Sequence, residues 1–264
     1  MKWAGGKHRL LPLLLPLLPA ADRLIEPFVG AGSVFLGTSY SGYLLNDANP
    51  DLMALWAALK SDADMLVQAA QLYFDEEFRS DAAYRQVRHD FNATTESFER
   101  AVRLLYLNRF GYNGLYRVNR QGGYNVPYGN PKKVPGFPAL QCQLAAERLQ
   151  RAELCSGDFE QVMEKGGEGD VIYCDPPYLK STCGESFSAY TASGFGQEDH
   201  LRLVRAAQAA AGRGATVLIS NHDTADTRTL YREFEFHMLK VRRSVSAESS
   251  SRRMASELVA VLRP

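Results

Sequence analysis

Two kinds of segment alternate along the chain. Short apolar runs rich in β-forming residues end in turn residues: LIEPF at 24–28, YLLND at 43–47, DVIYC at 170–174 and ATVLIS at 215–220. Stretches with helix-like spacing follow them, one from about Pro50 and another around His200 to Ala211. Apolar runs that alternate with helical segments predict parallel strands joined by crossover helices, hence an α/β sheet. The end of the chain differs. EFHMLKVRRSV at 235–245 and ELVAVLR at 257–263 lie close together with a Ser-rich turn between them, which predicts an antiparallel pair at the sheet edge.

Material of another kind separates the two βα halves. Asp62 to Leu107 is mainly helical in pattern, with Phe98, Val102, Leu105 and Tyr106 at helical spacing. Asn108 to Pro138 is rich in Gly, Asn, Tyr and Arg, carries the turns GYNG, QGG and YGNP, and has too few aliphatic residues for a core layer. A long irregular loop inside a domain is usually functional. The division that follows is a catalytic domain of residues 1–60 and 139–264, interrupted by an inserted, mainly helical domain of residues 61–138.

The first residues require a choice. Lys2, Lys7 and Arg9, followed by LLPLLLPLLPAAD, share the basic and apolar parts of a secretory leader. Three prolines break the apolar run, and it is too short to span a bilayer. A buried first helix is the better expectation, and with it a cytoplasmic protein.

Composition refines this picture in two places. At 264 residues, 45% hydrophobic and 23% charged, the chain can build a core without disulfides. Its four cysteines, Cys142, Cys155, Cys174 and Cys183, show no ligand spacing, so reduced thiols and no metal are expected. The formal net charge of zero hides an uneven distribution. Arg100 to Lys133 holds seven basic residues and no acidic one, a second cluster includes Lys240, Arg242, Arg243, Arg252 and Arg253, and the acidic stretch Asp62 to Glu99 balances them. A local basic face is what steers nucleic acid.

Two motifs carry chemistry. In EPFVGAGS at 26–33 an apolar strand ends in glycines, which allow close backbone approach to a ligand, and a helix begins. The next strand ends at Asp47, where a carboxylate can accept from ribose hydroxyls. Taken alone, this signal fits a plain tight turn or a dehydrogenase, although Phe35 stands where the third glycine of a dinucleotide fingerprint belongs. The second motif is an apolar strand running into Asp175-Pro176-Pro177-Tyr178. The prolines remove two donors and stiffen the turn. The Asp175 carboxylate and the Pro176 carbonyl are then acceptors for the two N–H groups of an amine attached to a π-system, and Tyr178 offers a ring to stack on it.

With both motifs in place, the chain resembles the Dam-type adenine-N6 DNA methyltransferases, the D12 class with the α arrangement. The blocks are KWAGGK at 2–7, EPFVGAGS at 26–33, NRFGYNGLYRVN at 108–119, NVPYG at 125–129, YCDPPY at 173–178 and LISNHD at 218–223, and they span nearly the whole chain. The resemblance implies a Rossmann-like methyltransferase sheet, S-adenosylmethionine as cofactor, and methyl transfer to N6 of an adenine flipped out of duplex DNA, within GATC. It implies Asp175, Pro176, Pro177 and Tyr178 as catalytic. For the cofactor it implies Trp3, Lys7 (toward the methionine carboxylate), Phe28, Gly30, Gly32, Asp47, Asp158, Phe159 and Asp175. Trp3 as a core aromatic and Asp158 as a helix N-cap are the structural alternatives.

For DNA, the resemblance implies base reading by Arg88, Asn113, Leu115, Arg117 and Pro127, an inserted Tyr112, and Lys2 at the outer part of the site. Arg is the bidentate partner of guanine, and an apolar side chain can meet the thymine methyl. Arg109, Arg120, Lys132, Lys133, Arg242 and Arg243 would hold phosphates. Arg100 and Arg103 are equally well explained as surface or ion-paired residues. The family members compared carry several more residues before KWAGGK, Tyr116 stands where a smaller residue is common, and QGGYN replaces a charged version of its turn. Rival readings are an RNA or protein amine methyltransferase, a DNA-binding relative without catalysis, and a dehydrogenase. The last leaves the DPPY turn and basic insert unexplained. A monomer is expected, with duplex DNA as partner and no membrane.

Overall fold

The structure is a computed structural model, and residues 1–3, 5–179, 194–242 and 254–264 are described. In chain order the elements are α1 (Leu11–Leu14), β1 (Arg23–Glu26), α2 (Ser33–Gly37), β2 (Gly42–Asp47), α3 (Pro50–Ser61), α4 (Ala63–Gln71), α5 (Asp81–Ala93) and α6 (Ser97–Phe110). They continue with α7 (Ala139–Leu149), β3 (Ala152–Ser156), α8 (Phe159–Met163), β4 (Asp170–Cys174), α9 (Gln197–Gly212), β5 (Thr216–His222), α10 (Ala225–Leu230), β6 (Glu235–Arg242) and β7 (Met254–Leu262).

The strands form one sheet in the order β3-β2-β1-β4-β5-β7-β6. The first five run parallel, and β7 lies antiparallel to both β5 and β6. The C-terminal antiparallel pair is as expected, but its inner member is β7 and the edge strand is β6. Their burial accounts for this: Leu258 to Val261 of β7 are all buried, whereas β6 exposes Met238. The strand β3 was not expected. The α1 region is a short amphipathic turn rather than a buried helix, with Leu10 and Leu14 inside and Leu13 and Leu15 exposed.

Helices cover both faces of the sheet, as a mostly parallel sheet requires. On one face Ile25, Ile172 and Ile219 pack with Phe159, Met163, Leu203 and Tyr231 of α8 to α10 and their turns. On the other, Leu24, Tyr43 and Tyr173 share a continuous core with Trp56 of α3 and with Leu66, Tyr84 and Tyr106 of α4 to α6. The inserted helices therefore pack onto the sheet's own core. Their starts follow local rules. Asn49 caps α3 through Asp51 and Leu52, with Pro50 in the first turn, and Asp62 and Ser80 cap α4 and α5. After α6 the chain runs to Pro138 with one 3-10 turn (Tyr112–Gly114) and isolated bridges.

Strand order reverses between β1 and β4. In open α/β sheets the crevice outside the carboxyl ends at such a reversal is the ligand site. Here those ends carry the glycine turn and the DPPY turn. Among the described residues no helix is long and apolar enough to cross a membrane.

Candidate active site

A cavity of about 330 Å³ opens at that crevice. Its wall includes Trp3, Lys7, Phe28, Gly30, Asp47, Asp175, Pro176, Pro177 and Tyr178, so nine of the sequence-predicted residues converge from four separate segments. Gly32, Asp158 and Phe159 stand outside the lining. Gly32 precedes α2 with φ +67°, and a Cβ there would meet the Trp56 ring at 3.0 Å. Asp158 caps α8 and is 2.9 Å from the Arg202 guanidinium. Phe159 backs the wall from behind, its ring 5.3 Å from that of Phe28.

The glycine turn and β2 are locked together. The Gly30 amide donates to Asp47 Oδ2 at 3.0 Å, and the Asn49 amide donates to Asp47 Oδ1 at 2.9 Å. Burial raises the Asp47 carboxyl, and these two amides oppose the shift. At Gly30, φ is +49° and a Cβ would lie 3.1 Å from the Trp3 ring, so only glycine lets the first segment close over the turn.

The DPPY turn is held by charge. Lys7 Nζ lies 2.7 Å from Asp175 Oδ2, donates to the Gly5 carbonyl at 2.8 Å and sits 4.9 Å from the centre of the Tyr178 ring. Burial raises the Asp175 carboxyl, and Lys7 is the main opposing influence. The Tyr178 hydroxyl donates to Glu257 Oε2 at 3.0 Å, and its ring meets His222 edge-on at 4.5 Å. The C-terminal antiparallel pair thus supports the aromatic member of the turn.

Several residues here carried no assignment in the sequence reading. Glu26 lines the cavity, is buried, and has one carboxylate oxygen without a partner among the described residues. Burial pushes its carboxyl well above the usual range, and Asp175 adds to this. An acid ending an otherwise apolar strand was the available signal. Asn108 is buried and clamps the first segment: it accepts from the Lys2 amide at 2.9 Å and donates to the Lys2 carbonyl at 2.6 Å and to the Gly114 carbonyl at 3.0 Å. Phe195 and Glu257 gave no signal, being distant in sequence from either motif.

The residues expected at DNA lie on and around the insert. Tyr112 is 53% exposed, which for a ring of this size leaves it able to meet a partner. Asn113 and Gly114 turn the chain with φ +53° and +65°. Leu115 is half-buried, and Arg117, Arg120, Pro127, Lys132 and Lys133 are exposed. Arg117 Nε rests on Asn125 Oδ1 at 2.7 Å. Arg88 donates to the Val126 carbonyl at 2.9 Å, beside Pro127, and Arg109 to the Gly136 carbonyl at 2.7 Å. Both are tied to the loop in this state. Arg242 ends β6, and Arg243 lies outside the described residues. Arg100 pairs with Asp51 and Arg103 with Glu99, the structural alternative for each. Among the described residues no group of His, Cys, Asp or Glu is placed to hold a metal, and Cys142, Cys155 and Cys174 are free thiols.

A parallel sheet with a reversed seventh strand, a glycine turn bonded to the Asp47 carboxylate and a DPPY turn beside it define an amino-group methyltransferase. The model of the D12 class N6 adenine-specific DNA methyltransferases matches residues 3–245. The chain belongs to that family, and it is an adenine-N6-specific DNA methyltransferase. It is 43% identical to the DNA adenine methylase of Escherichia coli strain K12 over all of this chain and 95% of that one. It is 40% identical to the DNA adenine methylase of Vibrio cholerae El Tor over the same shares, and 39% identical to the Retron Ec67 DNA adenine methylase of Escherichia coli over 99% of this chain and 90% of that one.

Proposed function

We propose that the enzyme uses S-adenosylmethionine to methylate the adenine of GATC in duplex DNA, after that base has left the helix, and that residues 61–138 form its target-recognition region. The observation that carries the reading is the convergence of Asp175 and Tyr178 with Asp47, Gly30 and Trp3 around one cavity.

The cavity suits this donor. Asp47 can accept from ribose hydroxyls while Gly30 keeps it oriented. Phe28 and Trp3 offer apolar surface. The Lys7 ammonium has three donors, of which Gly5 and Asp175 take two, and the third can meet a ligand carboxylate. When bound, S-adenosylmethionine supplies a methyl group on a sulfonium.

The protein's part is to place the acceptor. Asp175 and the Pro176 carbonyl accept the two N–H groups of N6, which keeps the lone pair on nitrogen, and Tyr178 stacks on the base. Nitrogen becomes cationic as it is methylated, so fixed acceptors at that atom favour the transition state over the ground state. Asp175 is an orienting acceptor in this scheme. Inside a duplex the amine is out of reach, hence the extruded base. Tyr112, exposed at the turn, would fill the gap. Half-buried Leu115 and exposed Arg117 and Pro127 are proposed to read bases, and Lys132 and Lys133 to hold phosphates. One active site and one recognition surface suffice for a monomer working in the cytoplasm.

The test is methyl incorporation from labelled S-adenosylmethionine into matched duplexes with GATC or GTAC. Labelling of the GATC duplex alone, recovered as N6-methyladenine, is expected. Equal labelling of both would discard the recognition residues and keep the chemistry.

A further inference from the structure

Tyr116 is buried between Leu115, which is half-buried against the core, and Arg117, which is exposed. The backbone is extended at Leu115, and side chains of an extended chain alternate in direction, so the position of the inward ring sets that of its two neighbours. The ring centre lies 5.6 Å from that of Trp3 and 5.6 Å from that of Tyr124. Its hydroxyl donates to Asp51 Oδ2 at 2.6 Å.

Asp51 is in the first turn of α3 and is buried. Arg100 of α6 grips the same carboxylate, Nε to Oδ1 at 2.6 Å and Nη2 to Oδ2 at 2.9 Å. Arg100 Nη1 also donates to the carbonyls of Phe91 and Thr94, where α5 ends. On its other side Asp51 continues into the cofactor wall. The Asp51 amide donates to Asn49 Oδ1 at 3.0 Å, the Asn49 amide to Asp47 Oδ1, and the Gly30 amide to Asp47 Oδ2. One unbroken series of hydrogen bonds thus joins the glycine turn to Tyr116. A carboxylate that accepts three such bonds fixes geometry, since each donor restricts the others.

We infer that Tyr116 and Asp51 are positioning residues for sequence readout: their bond holds the flanking residues Leu115 and Arg117 in register with the end of β2 that forms the cofactor wall. The inference rests on the proposed reading of Leu115 and Arg117 as base contacts. Burial and the Asp51 carboxylate both push the phenol upward, so it remains a donor at any working pH. Tyr116 itself touches no base in this scheme and acts through its neighbours.

The experiment compares the wild-type enzyme, Tyr116→Phe, Arg117→Ala and the double variant. Tyr116→Phe keeps the ring against Trp3 and Tyr124 and removes only the hydroxyl. For each protein kcat/KM is measured on GATC and on duplexes altered at a single base pair, with the melting temperature alongside. Tyr116→Phe is expected to lower discrimination at the Arg117-read base pair about tenfold, the scale of one lost hydrogen bond to a buried charge. The rate on GATC should stay within about threefold, and adding Tyr116→Phe to Arg117→Ala should lower discrimination no further. Wild-type discrimination in Tyr116→Phe overturns the inference alone. So does an equal fall on every duplex accompanied by a lower melting temperature, which marks a purely structural bond. If Arg117→Ala discriminates as the wild type does, the reading of Arg117 fails and takes the inference with it.

Discussion

Lys7 and Asp175, 168 positions apart in the chain, form a 2.7 Å ion pair in the wall of the cavity. The pair sets the charge of the carboxylate that is proposed to accept from the target amine. Burial alone favours a protonated Asp175, and Lys7 works against it. Replacing Lys7 by Met should therefore raise the Asp175 carboxyl further. If transfer needs the carboxylate, the acid limb of the rate profile moves to higher pH, by about one to three units for a lost neighbouring charge. The check is kcat against pH at saturating donor and duplex, and an unmoved limb would contradict the assigned role of the pair.

Asp175→Ala should lower methyl transfer at least about a hundredfold, the cost of losing one fixed group at a developing charge. Its affinity for a GATC duplex should change little, because Asp175 lies in the cavity and not on the insert. Single-turnover rates and duplex titration separate the two effects. Ordinary turnover by this variant would refute the orienting role.

Arg117→Ala should cost about 1–3 kcal/mol of discrimination at one base pair and leave the others unaffected. Methylation of a panel of duplexes, each with a single altered pair, reads this directly. A uniform loss across the panel would assign Arg117 to the phosphates instead.

His200 gives a prediction about stability. It is buried at the start of α9, with Nδ1 3.2 Å from the Tyr231 hydroxyl, and burial lowers its imidazole to about 4. An unfolded chain takes up that proton near pH 6.5. Between those two values the unfolded state binds the extra proton, so stability is complete above pH 6.5 and declines as pH falls, by up to about 1.4 kcal/mol per pH unit. His200→Gln should reduce the decline over this window. Denaturant midpoints of both proteins from pH 4.5 to 7.5 give the difference, and parallel curves would show that His200 is protonated in the folded state.

The parts of the fold legible in the sequence are those with strong local signals. Strands β1, β2, β4 and β5 are apolar because helices cover both sides of the sheet, and each ends in a recognisable turn. Strand β3, AELCS, escaped notice because it lies at the edge with a half-exposed face and has no β-branched residue. The glycine and DPPY turns were readable because their backbone demands show in residue type. What held them together was not. Asn108 reaching back 106 positions to Lys2, or Lys7 turning to Asp175, is a property of tertiary packing that no spacing rule encodes. Asp158 was ambiguous for a related reason: the same carboxylate that could meet a ligand also caps α8.

The position of β4 has a consequence for how the enzyme comes to be active. Its partner β1 has β2 available for pairing early in synthesis, but the other edge of β1 waits for β4, whose Asp170 follows Arg23 by 147 positions. At 5–20 residues per second, the ribosome takes roughly 7–30 s to supply it. By the end of that interval the nascent chain carries the glycine turn and the inserted helices, yet it has an open sheet edge and no DPPY turn. Such an edge is a site for mispairing. The inserted helices that pack on the same core shield one face of the growing sheet meanwhile. The cavity is therefore completed late: the DPPY turn follows β4, and the Glu257 that holds Tyr178 follows later still, on β7.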